Sequence, residues 1–137
     1  MGTLLLCPAF EGDPVNVALG VLQIVLALAF LMAGLLKSTQ PKEKLVTNMA
    51  WAEDFSPGTL KTIGVLEILA ALGLVLPGLT GIATVLTPLA ATGLAIVMVG
   101  AIVVHARRHE TQGVIINVVL LLLSALIAWA RFGPYHY

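Results

Sequence analysis

Four long apolar runs constrain this chain more than any other feature: Val15–Leu36, Thr62–Pro77, Ile82–Val104 and Gly113–Ala130. Each approaches or exceeds the roughly 17–25 residues that a helix needs to cross a bilayer, the second once Leu60 and Lys61 are added. Of the 137 residues, 59% are hydrophobic and 10% charged, whereas soluble domains carry roughly a quarter of their residues charged. The expected solvent is therefore lipid, where backbone polar groups must be satisfied inside helices. Short connections favour antiparallel neighbours. The expected fold is all-α: a four-transmembrane-helix up-down bundle with spans near residues 15–37, 57–77, 82–106 and 112–131, forming a single integral membrane domain over residues 1–137.

The connections carry the remaining information. Lys37, Lys42, Lys44, Lys61, Arg107 and Arg108 flank two loops, leaving only Arg131 for the other side. The positive-inside rule then puts both loops in the cytoplasm of a bacterial cell and both termini outside. "STQPKEKLVTNMAWAEDFSPG" (38–58) is the one long polar connection, and Leu45, Met49 and Ala52 recur in it at helical spacing. It is expected to form a short amphipathic interfacial helix between the first two spans, with Trp51 and Phe55 at headgroup level. Ser56 then caps the second span, with Pro57 as its first helical residue. "PGLTG" (77–81) reads as a tight uncharged turn, and Pro88 as a kink in the third span or its true start. Trp129, Phe132, Tyr135 and Tyr137 gather as an aromatic anchor. Cys7 is the single cysteine, which excludes an internal disulfide or a thiolate metal cage. "LLLC" before it lacks the basic region and apolar length of a signal peptide. No basic patch beyond the topological signals points to nucleic acid.

Polar residues inside the apolar runs follow a heptad rhythm with small residues between them. The first span gives Asn16, Gly20, Gln23, Ala27, Phe30, Gly34 and Lys37. The second gives Leu60, Gly64, Glu67, Ala71 and Leu74; the third Thr87, Ala91, Leu94, Met98, Ala101 and His105; the fourth Gly113, Asn117, Leu120, Ser124, Ile127 and Arg131. Lipid cannot satisfy hydrogen bonds and small residues permit close helix approach, so these stripes should face inward. Glu67 lies six residues inside Lys61, ~9 Å along a helix, and Asn117 four residues past Gly113, ~6 Å. With Lys37 and His105, which end the first and third spans, they put four polar groups from four helices in the cytoplasmic third of the bundle.

An ionisable group in a membrane costs about 2.5–3.5 kcal/mol to insert, which makes Glu67 the leading functional candidate. Protonated, it could donate a hydrogen bond or a proton to a ligand carbonyl such as that of a quinone. Its bland alternative is an acid that ties helices together through Lys37. His105 could relay protons to the loop side, or simply complement the helix dipole beside Arg107 and Arg108. Lys37 could snorkel to the headgroups or pair with Glu67. Asn117 is interhelical glue or a ligand contact. Trp51 is an interfacial anchor or a lid. Phe30 and Met98 fill the core. His105 and His109 are spaced i, i+4, but two arginines lie between them and no third ligand is near, so no metal site is expected. A haem lacks a second histidine within a membrane segment.

The segments "AFLMAGLLKSTQPKEKLVTNMAWAEDFSPGTLKTIGVLEILAALGLVLPG", "LTPLAATGLAIVMVGAIVVHARRHE" and "ARFGPY" resemble the DoxX-like family of small bacterial membrane proteins. The landmarks are Lys37 closing the first span, Gly64 and Glu67 in the second, His105 closing the third and Asn117 in the fourth. The resemblance implies a four-helix membrane protein associated with quinone-linked oxidoreductases or with oxidative-stress and thiol-homeostasis complexes. More distantly similar animal proteins assist assembly of nicotinic acetylcholine receptors. The resulting expectation is a subunit that binds a small lipophilic ligand, quinone or isoprenoid-like, with Glu67 and His105 as the chemical groups and Lys37, Asn117, Trp51 and Gly64 as ligand contacts. Electrons would come from a membrane or soluble redox partner, since no redox centre of its own is visible. An assembly factor for another membrane protein, an acid–base enzyme acting on an isoprenoid, and a homo-oligomer all stay open.

Overall fold

A helix in lipid must turn its polar side chains toward its neighbours, and that requirement organises the chain. The computed structural model describes residues 14–135; the readings of Cys7, of most of the "EGDP" turn and of Tyr137 fall outside them. Helix α1 spans Pro14–Thr39, α2 Lys42–Asn48, α3 Pro57–Thr80, α4 Leu86–Arg107 and α5 Thr111–Phe132, with a 3-10 turn at Ala50–Asp54 between α2 and α3. The four long helices are long and apolar enough to cross a membrane. They make two tightly packed pairs, α1 with α3 and α4 with α5, and α3 against α4 joins the pairs.

The stripes read from the sequence are the buried faces. Gly20, Gln23, Ala27, Phe30, Gly34 and Lys37 are buried on α1, and Leu60, Gly64, Glu67, Ala71 and Leu74 on α3. Burial on α4 ends at Met98 and on α5 begins at Ser124. The helix pairs therefore meet in the middle and at one end and part at the other. At the closed end, the Arg131 side chain reaches from α5 to α1, donating from Nε to Gln23 Oε1 (2.7 Å) and also to Asn16. Gln23 in turn donates to the Leu74 carbonyl of α3 at 2.7 Å.

Helix boundaries follow local chemistry. Ser56 accepts from the Thr59 N–H (3.2 Å) ahead of Pro57. α3 does not stop at Pro77 but runs on to Thr80, where Gly81, at φ 72°, supplies the left-handed residue that ends it. Ile82–Val85 is consequently a turn, and Pro88 stands in the first turn of α4, where a missing N–H costs nothing. The price of Pro77 inside α3 is a Gly73 carbonyl deprived of its helical donor. Thr87 of α4 donates its hydroxyl to that carbonyl at 2.9 Å. Thr87→Val should therefore destabilise the protein by about 1–2 kcal/mol. In a Pro77→Ala background, where the helical N–H returns, the same substitution should cost less. Thermal denaturation of the four variants in detergent measures that coupling.

The polar connection departs from a single amphipathic helix. Met49 is extended (φ −134°, ψ 86°), which separates α2 from the 3-10 turn. A straight helix over residues 42–54 would run ~20 Å and carry Trp51 away from the bundle. The bend instead buries Leu45 and Ala52 on Leu60 and brings Trp51, Met49 and Phe55 over the open end.

Candidate functional site

The site begins with a close approach of two backbones. A Cβ built on Gly34 would stand 2.5 Å from the Gly64 carbonyl oxygen, and one on Gly64 2.7 Å from that of Gly34. With α1 and α3 this near, Lys37 and Glu67, each one turn beyond its glycine, come within reach. Helical Cα–Cβ bonds tilt toward the N-terminus. In this antiparallel pair that tilt sends Lys37 inward and Glu67 outward, so the side chains converge. Lys37 Nζ donates to Glu67 Oε1 at 2.6 Å, with side-chain exposures of 11% and 3%. Lys37 thus turns into the bundle instead of snorkelling out of it.

Trp51 covers this pair. Lys37 Nζ lies 5.4 Å from the Trp51 ring centroid, in the range of a cation–π contact. Phe55 meets the indole edge-on at 5.6 Å between centroids, and His105 does so at 6.2 Å. His105, in the last turn of α4, fits against α5 because residue 113 is glycine: any Cβ there would collide with the imidazole. His105 Nδ1 shares a 2.8 Å hydrogen bond with Glu110 Oε1. Arg108 reaches Glu110 Oε2 (3.4 Å) and, across the mouth of the bundle, Asp54 Oδ2 (2.7 Å). The Asp54 hydrogen bond, opposed by slight burial and reinforced by the charges of Asp54 and Glu110, pushes the Arg108 pKa up. A run of contacts therefore links both helix pairs through the polar connection: Glu67, Lys37, Trp51, His105, Glu110, Arg108, Asp54.

Beneath that cap the parted helix pairs enclose a cavity of about 690 Å³, within the range of roughly 300–1,000 Å³ usual for small-molecule sites. Lys37, Trp51, Glu67, His105 and Asn117 line its capped end, and its walls include Phe30, Met98 and Leu120. Asn117 Nδ2 donates to the Gly113 carbonyl at 2.7 Å, which fixes the amide while its oxygen retains acceptor capacity.

The DoxX-like family model matches residues 21–127. The chain belongs to the DoxX-like family. No curated protein and no solved structure matches it. Family membership and four apolar helices together make this DoxX-like chain an integral membrane protein.

Of the six residues singled out in this DoxX-like sequence, five meet at the cavity. The sixth, Gly64, is not on its wall; it is the helix contact that positions Lys37. The i, i+4 premise for His105 and His109 fails because α4 ends at Arg107 and His109 adopts φ 59° in the turn. That left-handed residue swings Glu110 back toward His105, a contact that sequence spacing did not reveal. Met49 and Phe55 also line the cavity; the sequence marks Met49 by helical spacing and Phe55 as an interfacial aromatic, and neither as a cavity residue. Among the described residues, no group of three His, Cys, Asp or Glu is placed to hold a metal ion.

Proposed function

We propose that this DoxX-like protein is a membrane subunit that binds a small lipophilic carbonyl compound, of which a quinone is the leading chemical type. The observation that carries this reading is the apolar cavity with one polar end, where a buried ion pair, an asparagine and a histidine from four helices converge. An ammonium offers three donors, and one proton of Lys37 goes to Glu67. Its other protons suit a carbonyl oxygen, and in a low-dielectric pocket such a charge-assisted bond is strong. Glu67 then acts as the anion that keeps Lys37 turned into the cavity. His105, joined to Glu110 near the polar mouth, is the group suited to passing a proton between the cavity and the loop side. Electrons would be exchanged with a partner protein. The basic end would face the cytoplasm, with both termini outside.

The test is ligand-induced thermal stabilisation of the purified protein by a short-chain benzoquinone. Loss of a charge-assisted hydrogen bond is worth about 1.5–3 kcal/mol, so Glu67→Gln should weaken binding by about tenfold to a hundredfold. An unchanged shift in a folded Glu67→Gln protein would remove Glu67 from the site. Co-purification of one stoichiometric membrane protein, with no quinone response in the wild type, would favour an assembly role instead.

A further inference from the structure

The two helix pairs leave one seam unsealed. α1 packs along α3, α3 along α4 and α4 along α5, but α1 and α5 do not pack on each other in that way. Two hollows lie along this seam. One is the polar-ended cavity, reached on α1 by Ala29 and Ala33 and on α5 by Ile116 and Leu120. The other, about 210 Å³, lies toward the Arg131 end and is lined by apolar side chains that include Ala18 and Leu22 of α1 and Leu126 and Trp129 of α5. Leu22 and Ala29 are seven residues apart, so they share a helix face and are separated by ~10 Å of helix rise. Val25, between them on that face, is 57% exposed, so no protein layer roofs the path.

We infer that the ligand is a head-and-tail amphiphile whose polar head occupies the Lys37–Asn117 end of the cavity and whose single apolar chain lies in the α1–α5 seam. This rests on the reading of the cavity as a ligand site, and specifies the compound class it takes. A compact, tailless ligand would leave the second hollow unused. The second hollow, less than a third the volume of the first, suits one chain better than the paired chains of a bilayer phospholipid. Leu22 lies ~22 Å of helix rise from Lys37, past the midplane of a ~30 Å hydrocarbon core, so the chain is one long enough to run beyond the leaflet that holds its head. Such a molecule slides in sideways without turning over, its chain never leaving hydrocarbon, while Trp51 and the connection cover the head from water.

The experiment uses the full chain in nanodiscs and a benzoquinone bearing an alkyl chain with a terminal diazirine, photolysed and mapped by mass spectrometry. Label is expected at the Val15–Leu22 and Leu126–Trp129 stretches, and should fall at least tenfold with excess untagged alkyl-quinone. Ala18→Phe, which fills the outer hollow from an exposed position, should reduce labelling there severalfold. It should leave the thermal shift from a tailless benzoquinone unchanged. Label spread evenly over lipid-facing Leu69, Ile96 and Leu122 and insensitive to competitor, while the tailless quinone still stabilises the protein, would overturn the inference and leave the proposed function standing. If neither tailed nor tailless quinone stabilises or competes, the proposed function fails and the inference falls with it.

Discussion

Replacing Lys37 with methionine should destabilise the protein by about 3–5 kcal/mol, the cost of leaving one partner of a buried ion pair without the other. The burial figures place the pair in this class: Glu67 keeps only 3% of its side chain exposed and Lys37 11%. Removing the acid instead should cost less. Lys37 stands in the last turn of α1, and its long stem can carry the ammonium outward to the headgroups once nothing holds it inside. Glu67, near the middle of α3, has no such exit. The double variant Lys37→Met/Glu67→Leu should recover most of the loss, because well-packed apolar residues often replace a buried ion pair at little cost. Thermal denaturation of the four proteins in detergent gives the cycle. Equal losses for the two single variants would mean that Lys37 cannot escape; no loss for Lys37→Met would mean the pair is not buried. Arg108→Ala, which breaks an exposed pair with Asp54, should by contrast barely register.

Gly64→Ala should also be damaging, through shape alone. Its methyl group would stand 2.7 Å from the Gly34 oxygen, 2.8 Å from the Ser38 nitrogen and 2.9 Å from Lys37 Cβ. Two of those three neighbours are backbone, so α1 and α3 must separate. Overpacking of this kind typically costs about 1–3 kcal/mol. It also moves Lys37 off Glu67, so quinone-induced stabilisation should fall together with the thermal midpoint. Gly93→Ala is the control: its Cβ would meet nothing within 4 Å, and the exchange should be neutral or stabilise α4 by about 0.5–1 kcal/mol. Equal midpoints for the two variants would show that the α1–α3 contact is looser than the structure has it.

The helices and their inward faces were legible because a bilayer imposes a minimum span and punishes misplaced polar groups. Glu67, Gln23 and Thr87 could be assigned inward from that single requirement, and the small residues between them told which face the neighbouring helix approaches. Other features depend on contacts that local sequence does not encode. Nothing in "GIATV" distinguishes a turn from the start of a span, because an apolar turn carries the same residues. The bend at Met49 arises because Leu45 and Ala52 both find Leu60, a partner further along the chain. The cavity was invisible for a related reason: the α4 and α5 stripes look alike from end to end. Only the packing reveals that they are buried from Met98 and Ser124 toward one end and open toward the other. The Asp54–Arg108 clasp joins residues 54 positions apart, beyond any spacing rule.

On the proposed function, a quinone-type head reaches the polar end of the cavity beside Trp51. Trp51 and Trp129 are the two tryptophans, so a Trp129→Phe protein reports on Trp51 alone, and contact with a benzoquinone quenches indole fluorescence. Titration with a short-chain benzoquinone should give saturable quenching in that protein, and Glu67→Gln in the same background should shift the midpoint at least tenfold to weaker binding. Linear, unsaturable quenching of equal slope in both proteins would mean that no quinone head binds beside Trp51.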